Sequence, residues 1–161
     1  MMQGQGFRAG FTLIEMLAVL AILSILAAMA VPMTKLIVKH KKEEELRYDL
    51  RKIRGGLDAY KIAADSGRIA KKVGSSGYPE KLEDLVKGMD DLRDPNKKAK
   101  IYFLRRIPTD PMAPPDLHGT DSWGKRSYES PPDDPQEGDD VYDVYSKSEA
   151  TGLNGVPYRK W

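Results

Sequence analysis

The sequence contains no cysteine and only two histidines. Without cysteine, no disulfide can cross-link the fold in any compartment. His40 and His118 lie far apart in the chain, and no Cys/His spacing typical of a zinc site is present. The sequence therefore predicts neither a disulfide framework nor a structural zinc.

Recognisable catalytic motifs are also missing. There is no G-x-S-x-G, no H-E-x-x-H and no cysteine nucleophile. The Gly-Ser run at residues 74–77 lacks the G-x-x-x-x-G-K-[ST] pattern of a phosphate-binding loop. A net charge of +2 with 31% charged residues gives no sign of a nucleic-acid partner. We expect a protein that is not an enzyme, requires no cofactor and binds no nucleic acid.

The chain does contain one long apolar run, from Phe11 to Val31. As a helix with a rise of about 1.5 Å per residue, this run covers roughly 31 Å, close to the ~30 Å hydrocarbon thickness of a bilayer. Its apolar residues leave no polar stripe, unlike those of a helix on the surface of a soluble domain. The run predicts a membrane-spanning helix.

Glu15 is the one ionisable residue in this run. A carboxylate in hydrocarbon costs at least a few kcal/mol, so an acid inside a membrane helix is a candidate functional residue. The alternative is that Glu15, one turn into the segment, lies at the level of the lipid headgroups.

The residues Gly10-Phe11-Thr12-Leu13-Ile14-Glu15, after a short polar leader with Arg8, resemble the class III prepilin signal of type IV pilins and type II secretion pseudopilins. The resemblance implies cleavage after Gly10 by a prepilin peptidase, N-methylation of Phe11, and a role in assembly for Glu15. It also implies that Pro32 stands where this family commonly kinks its long helix.

Cleavage at this position creates a free amine on Phe11. In the family, the glutamate is thought to pair with the N-terminus of a neighbouring subunit in a staggered stack of helices. Removing one member of a buried ion pair is strongly destabilising. Glu15 is therefore expected to control the register between subunits of a self-assembled filament.

Two observations favour other interpretations of how this segment is cleaved and oriented. Ala28-Met29-Ala30 is an A-x-A site of the secretory type, and cleavage there would leave a soluble domain beginning at Val31. Lysines also follow the run, and the positive-inside rule would place that side in the cytoplasm: Lys35, Lys39, Lys41 and Lys42. The more specific prepilin resemblance instead implies a single-pass inner-membrane protein with its head in the periplasm.

We expect four segments: a leader at 1–10, a membrane and filament-core helix at 11–32, an amphipathic continuation at 33–65, and a globular head at 66–161. The amphipathic part has an apolar face at three- and four-residue spacing, which includes Leu46, Leu50, Ile53, Leu57 and Ala64. The Lys- and Glu-rich remainder, Glu43 included, is expected in solvent. Gly55-Gly56 marks either a bend or a close contact.

The head is predicted to contain a short helix at 79–87, a polar loop at 90–100 and three strands at 100–104, 126–129 and 141–146. The strands are expected to form a small antiparallel meander with long loops, so the fold class is α+β. Six aromatic residues are expected in its core: Tyr102, Phe103, Trp123, Tyr128, Tyr142 and Tyr145.

Most of the chain further resembles the major pseudopilin of type II secretion. The matching pieces, in order, are L-D-A-Y-K at 57–61, Y-P at 78–79 with L-E-D-L-V at 82–86, L-R-R-I-P-T-D-P at 104–111, W-G at 123–124 with S-Y at 127–128, and Y-D-V-Y-S at 142–146. The chain departs from the family in longer stretches at 68–77 and 113–122.

The resemblance also implies a calcium site, but in the family's S-x-G-x-D-G pattern Ser148 here replaces the first Gly and Ala150 replaces the Asp. Residues 127–146 hold seven carboxylates and no basic residue, and calcium takes six to eight oxygens. We expect any calcium at Asp143, Ser146 and Glu149; the alternative is a solvated acidic loop.

Together these features predict a pseudopilin-like subunit that works with other type II secretion components. The alternatives are a type IV or competence pilin, and a secreted or membrane-tethered periplasmic binding domain.

Overall fold

A computed structural model describes residues 10–96 and 98–161, and for residues 29–32 it describes the backbone only. The chain divides into two compact units, Met1–Lys39 and His40–Trp161. The described residues form two α-helices and four strands: α1 (Leu13–Asp65), α2 (Asp84–Lys87), β1 (Met89–Asp90), β2 (Lys100–Ile101), β3 (Trp123–Arg126) and β4 (Asp143–Ser146). Short 3₁₀ helices lie at Gly119–Ser122 and Tyr158–Lys160. The α+β class predicted from the sequence is confirmed.

Helix α1 ends where the sequence predicts, at Asp65. Gly67 adopts a φ of 65°, a conformation that favours glycine. The amide of Arg68 donates to the carbonyl of Ala63, and the amide of Gly67 to that of Ala64. This pair of hydrogen bonds is a Schellman motif, which satisfies carbonyls that the helix end leaves open.

The core of unit His40–Trp161 forms on the predicted face of α1. Leu46, Leu50, Ile53 and Leu57 are at most 2% exposed. The other buried apolar residues come from the helix end and from the loops and strands that follow: Tyr60, Ala63, Ala64, Ile69, Leu82, Leu85, Leu104, Trp123, Val141, Val144 and Tyr158. The spacing of apolar residues therefore located the helical half of the core correctly.

The predicted three-stranded meander is wrong in detail, because the strands form two separate antiparallel pairs. Strand β1 pairs with β2, with Met89 opposite Ile101. Strand β3 pairs with β4, with Gly124 opposite Tyr145. The sequence does not predict β1, whose Asp90 falls in the predicted polar loop at 90–100, because two residues are too few to show an alternating pattern.

Hydrogen bonds outside the ladders explain why the remaining elements are shorter than predicted. The amides of Phe103 and Leu104 both donate to the carbonyl of Leu85, which ends β2 at Ile101. The amide of Val141 donates to the carbonyl of Pro79, which keeps Pro79 in a loop. Helix α2 therefore begins only at Asp84.

The strand predicted at 126–129 is found at Trp123–Arg126. The amide of Ser127 donates to the carbonyl of Gln136, and that of Tyr128 to the Asp140 carboxylate at 2.8 Å. These bonds take the chain out of the sheet at the position where the strand was expected to continue.

Of the six aromatic residues predicted in the core, Trp123 is buried and Phe103 packs against the core while partly buried. Trp123 is fully buried, and its indole nitrogen donates to the carbonyl of Pro108 at 2.8 Å. Tyr102 and Tyr128 are 61% and 58% exposed. Tyr158, which the prediction omitted, is buried. Aromatic content alone did not distinguish a core ring from a surface ring.

Candidate functional site

The bond between Gly10 and Phe11 lies immediately before the first helical residue, Leu13. Gly10 has no heavy atom within 4 Å of a Cβ placed on it, and Phe11 is 79% exposed. This peptide bond is therefore outside the hydrogen-bonded helix and open on all sides within the described chain. A peptidase can bind such a segment without unwinding the helix.

Thr12 caps α1. Its hydroxyl oxygen accepts a hydrogen bond from the amide of Glu15 at 3.3 Å, and its carbonyl accepts one from the amide of Met16 at 3.2 Å. A threonine at this position typically contributes about 1 kcal/mol to a helix. Sequence reasoning missed this role, although T-x-x-E is a recognised start signal for a helix.

Glu15 lies in the first turn of α1. A carboxylate there is favoured by the partial positive charge of the helix N-terminus. The same fold places Glu15 one turn from Phe11, whose amine would become the new chain end after cleavage. The structure thus places Gly10, Phe11 and Glu15 together at one end of the helix, whereas Pro32 lies further along it.

The turns of α1 that follow are apolar on every side. An 18-residue window reaches a mean hydropathy of 2.5 with no side chain buried, and α1 is the one helix in the described chain long and apolar enough to cross a membrane. The hydroxyl of Ser24 donates to the carbonyl of Leu20 at 2.7 Å, which satisfies it within the helix. This helix is consistent with a single-pass membrane anchor.

Residues 7–31 match the family model of the prokaryotic N-terminal methylation motif. The motif is typical of type IV pilins and pseudopilins, and it implies processing by a prepilin peptidase and pilus assembly. No curated protein and no solved structure matches the chain.

The methylation motif and the alternative secretory site occupy different local structures. Gly10 and Phe11 precede α1, whereas residues 28–30 and Val31 lie inside it. Proteases bind their substrates in extended form, so cleavage at 30–31 would first require the helix to unwind. Pro32 also lies within α1; its predicted role in bending the helix stays a prediction.

The three residues predicted to bind calcium differ in their surroundings. Asp143 accepts a hydrogen bond from Arg54 Nε at 2.8 Å, and Arg126 Nη2 lies 3.6 Å from its other oxygen. Ser146 is buried and donates to the Asp110 carboxylate at 2.6 Å. Glu149 is exposed. Calcium binding here stays a prediction, and among the described residues no cluster of three metal-ligating acids, histidines or cysteines occurs.

Asp110 is a buried acid that the site prediction did not include. It is 2% exposed, and besides Ser146 its carboxylate accepts a bond from the amide of Met112 at 2.8 Å. Burial raises the pKa of this carboxyl, and the hydrogen bonds from Ser146 and Met112 oppose that shift. Asp110 therefore connects the D-P segment to the end of β4.

Glu43 is a second buried acid, and its predicted position in solvent is wrong. It was expected in solvent but is 3% exposed, and it accepts hydrogen bonds from the amide of Leu153 at 2.7 Å and the hydroxyl of Tyr158 at 2.8 Å. A signal was present in the sequence, because Glu43 lies three residues before Leu46 and thus on the same face as the core.

Proposed function

We propose that this chain is a structural subunit of a type IV pilin-like filament, of the pseudopilin kind that serves type II secretion. The observation that carries the proposal is the methylation motif at residues 7–31, with its Gly10–Phe11 bond exposed directly before an apolar helix. In this proposal the protein is not an enzyme, and its work is done by assembly.

The exposed apolar surface of α1 supports this proposal. Leu17, Val19 and Leu20 are 47–57% exposed, and Val19 lies on the side of the helix opposite Leu17. Burying one such side chain fully contributes about 1.5–3 kcal/mol. Lipid would cover these residues before assembly, and α1 helices of other copies would cover them in the filament.

Pairing between Glu15 and the Phe11 amine of a neighbouring copy would set the register of those helices. The free energy of apolar packing is similar at many relative positions of two helices, so packing alone selects no single register. A carboxylate and an amine taken out of water must be paired, and an unpaired partner is strongly destabilising. One register therefore has a large energetic advantage over the others.

Contacts between separate pseudopilin-like segments of the head support the type II assignment. Gly124 lies opposite Tyr145, and a Cβ on Gly124 would clash with the Tyr145 ring. The W-G and Y-D-V-Y-S segments thus need each other's residue types at this contact. Asp110 of the D-P segment accepts its hydrogen bond from Ser146 of the same strand end.

The test is the mass of the mature N-terminal peptide, isolated from native membranes. A peptide that begins with methylated Phe11 is the expected result. A peptide that begins at Val31 would mean ordinary secretion; it would remove Glu15 from the mature protein and overturn the proposal.

The site of assembly distinguishes the pseudopilin from a type IV or competence pilin. We expect short filaments that stay in the periplasm and a secretion defect when the gene is deleted. Long surface fibres with unchanged secretion would reject the type II assignment while leaving the pilin-like subunit in place.

A further inference from the structure

A groove of about 400 Å³ lies between α1 and the last residues of the chain. Its apolar part is formed by Leu50, Val156 and Trp161. Arg47 stacks over the Trp161 ring, with its guanidinium carbon 4.4 Å from the ring centroid. We name this feature the basic groove, because its charged lining residues are all cations: Arg47, Arg51, Arg54 and Lys160.

Two of these cations are available to a partner. Arg54 already has partners within its own chain, because its guanidinium donates to Asp143 at 2.8 Å and to the main-chain oxygen of Trp161 at 2.8 Å. Arg51 and Lys160 are exposed, and neither forms an ion pair with a carboxylate in the described chain. The groove therefore presents unneutralised positive charge beside an apolar surface, which suits an acidic polypeptide.

The same chain carries such a polypeptide at residues 129–140, which we name the acidic segment. Its exposed carboxylates belong to Glu129, Asp133, Asp134, Glu137 and Asp139, and no basic residue interrupts it. The segment is held in place: Ser130 Oγ donates to the carbonyl of Asp134 at 3.1 Å and accepts from the amide of Gln136 at 2.7 Å. An ordered segment loses less conformational entropy on binding than a mobile tail would.

The basic groove and the acidic segment lie at different heights along α1. The groove is beside Arg51. The acidic segment follows Tyr128, whose ring stacks on Tyr78 at 6.1 Å, and Lys61 Nζ lies 5.8 Å from the Tyr78 ring centroid. Ten helical residues separate the levels of Arg51 and Lys61, or roughly 15 Å at 1.5 Å per residue.

We propose that the acidic segment of one copy docks in the basic groove of the next copy. The two surfaces differ from each other and are offset along the helix, so the contact is head-to-tail. A head-to-tail contact that does not close into a ring generates an open helical filament. This inference rests on the proposed function, since it supplies the contact between heads in the assembly that α1 drives.

Crosslinking of the full-length protein in native membranes tests the contact, because the wild-type chain has no cysteine of its own. One chain carries Arg51→Cys and a second carries Asp133→Cys, and the two are expressed alone and together. Oxidation is expected to give disulfide dimers from the mixture and not from either chain alone. The matched control replaces the acidic partner with Asp116→Cys, an exposed acid outside the segment.

Charge reversal provides the second readout. Arg51→Asp or Asp133→Arg alone is expected to reduce pelleted assemblies roughly five- to tenfold, as when several exposed ion pairs act together. The two changes combined should restore most of the assembly. Arg105→Asp, at an exposed arginine outside the groove, should leave assembly unchanged. Raised salt should weaken the wild-type contact.

Failure of this inference is separable from failure of the proposed function. If Phe11 is methylated and the wild type assembles, but mixed dimers do not exceed the Asp116→Cys control, the docking contact is rejected and the function stands. Protection of the Arg51→Cys thiol from maleimide by phosphatidylglycerol vesicles, and not by other copies, would also overturn docking. Absence of methylated Phe11 rejects the function itself.

Discussion

The hydroxyl of Tyr158 donates a hydrogen bond of 2.8 Å to the carboxylate of Glu43, and both residues are at most 3% exposed. Their positions are far apart in the chain, and Glu43 also accepts a bond from the amide of Leu153. A buried carboxylate needs such donors because it has lost its contacts with water. Glu43 therefore holds the last residues of the chain against α1.

Tyr158→Phe should lower the free energy of unfolding of unit His40–Trp161. The substitution keeps the ring but removes one of the two donors to Glu43, and a hydrogen bond to a charged group contributes about 1.5–3 kcal/mol. Urea unfolding of the protein in detergent, followed by the fluorescence of the buried Trp123, measures the change. Tyr48→Phe is the control, since Tyr48 is 59% exposed on the same helix. Equal unfolding curves for both variants would contradict a structural role for the Glu43 bond.

Alkaline pH should remove this contribution. Burial, followed by the hydrogen bond to Glu43 and its charge, raises the pKa of Tyr158 to about 12 from an ordinary value of 10.0. The folded state therefore holds the phenolic proton more tightly than the unfolded state, so stability is complete below pH 10 and declines as the pH rises to about 12. The difference in unfolding free energy between wild type and Tyr158→Phe should shrink across this window. A constant difference would show that the hydroxyl does not titrate as the structure requires.

The course of α1 could be read from the sequence because its apolar residues repeat at helical spacing over many turns. Leu46, Leu50, Ile53 and Leu57 form the predicted face and are all buried. The same spacing includes Glu43, but a charged residue type predicts exposure, and Glu43 is nevertheless buried. Local pattern gives the face of a helix; it does not reveal which polar residue on that face will find a partner distant in sequence.

The strands were harder to predict because contacts distant in sequence decide where they end. The carbonyl of Leu85 accepts hydrogen bonds from the amides of Phe103 and Leu104. The carbonyl of Pro79 accepts one from the amide of Val141. These bonds shorten β2 and α2 although the local residue types favour longer elements. The processing residues Gly10 and Phe11 and the assembly residue Glu15, in contrast, belong to one continuous motif, and such a motif can be recognised without knowledge of the fold.

Substitutions at Gly55 and Gly56 should differ although the two residues are adjacent in α1. A Cβ on Gly55 would meet nothing within 4 Å, so Gly55→Ala should stabilise the helix by about 0.5–1 kcal/mol. A Cβ on Gly56 would lie 3.0 Å from Leu104 Cγ, so part or all of that gain should be lost there. Urea unfolding compares the variants, and each is the control for the other. A larger gain at Gly56 would contradict the close approach of Leu104.

Calcium should bind only if it displaces Arg54 from Asp143. The arginine already donates to this carboxylate at 2.8 Å and supplies the positive charge that a metal would otherwise bring. We therefore expect millimolar calcium to leave the thermal midpoint of the wild type nearly unchanged, and to raise that of Arg54→Met. Arg105→Met is the control. A rise of several degrees in the wild type, reversed by a chelator, would instead support calcium at Asp143, Ser146 and Glu149 in the native fold.

Glu15→Ala should abolish assembly while leaving membrane insertion and cleavage after Gly10 intact. The bond to be cut precedes the helix, and the apolar surface that inserts into lipid does not depend on the carboxylate. Assembly does depend on it in our proposal, since the Phe11 amine of a neighbouring copy would be left unpaired. The measurements are the N-terminal mass, the membrane fraction and the yield of pelleted filaments from the same cells.

Thr12→Val is the matched control for this variant, because it removes the helix cap at a cost of about 1 kcal/mol without removing the charge. We expect it to assemble at close to the wild-type level. If Glu15→Ala assembled equally well, register could not depend on the carboxylate, and the apolar faces of α1 would have to select it alone. If Thr12→Val failed as completely as Glu15→Ala, the defect would lie in the helix N-terminus and not in the ion pair. Only loss with Glu15→Ala and retention with Thr12→Val assigns the register to charge.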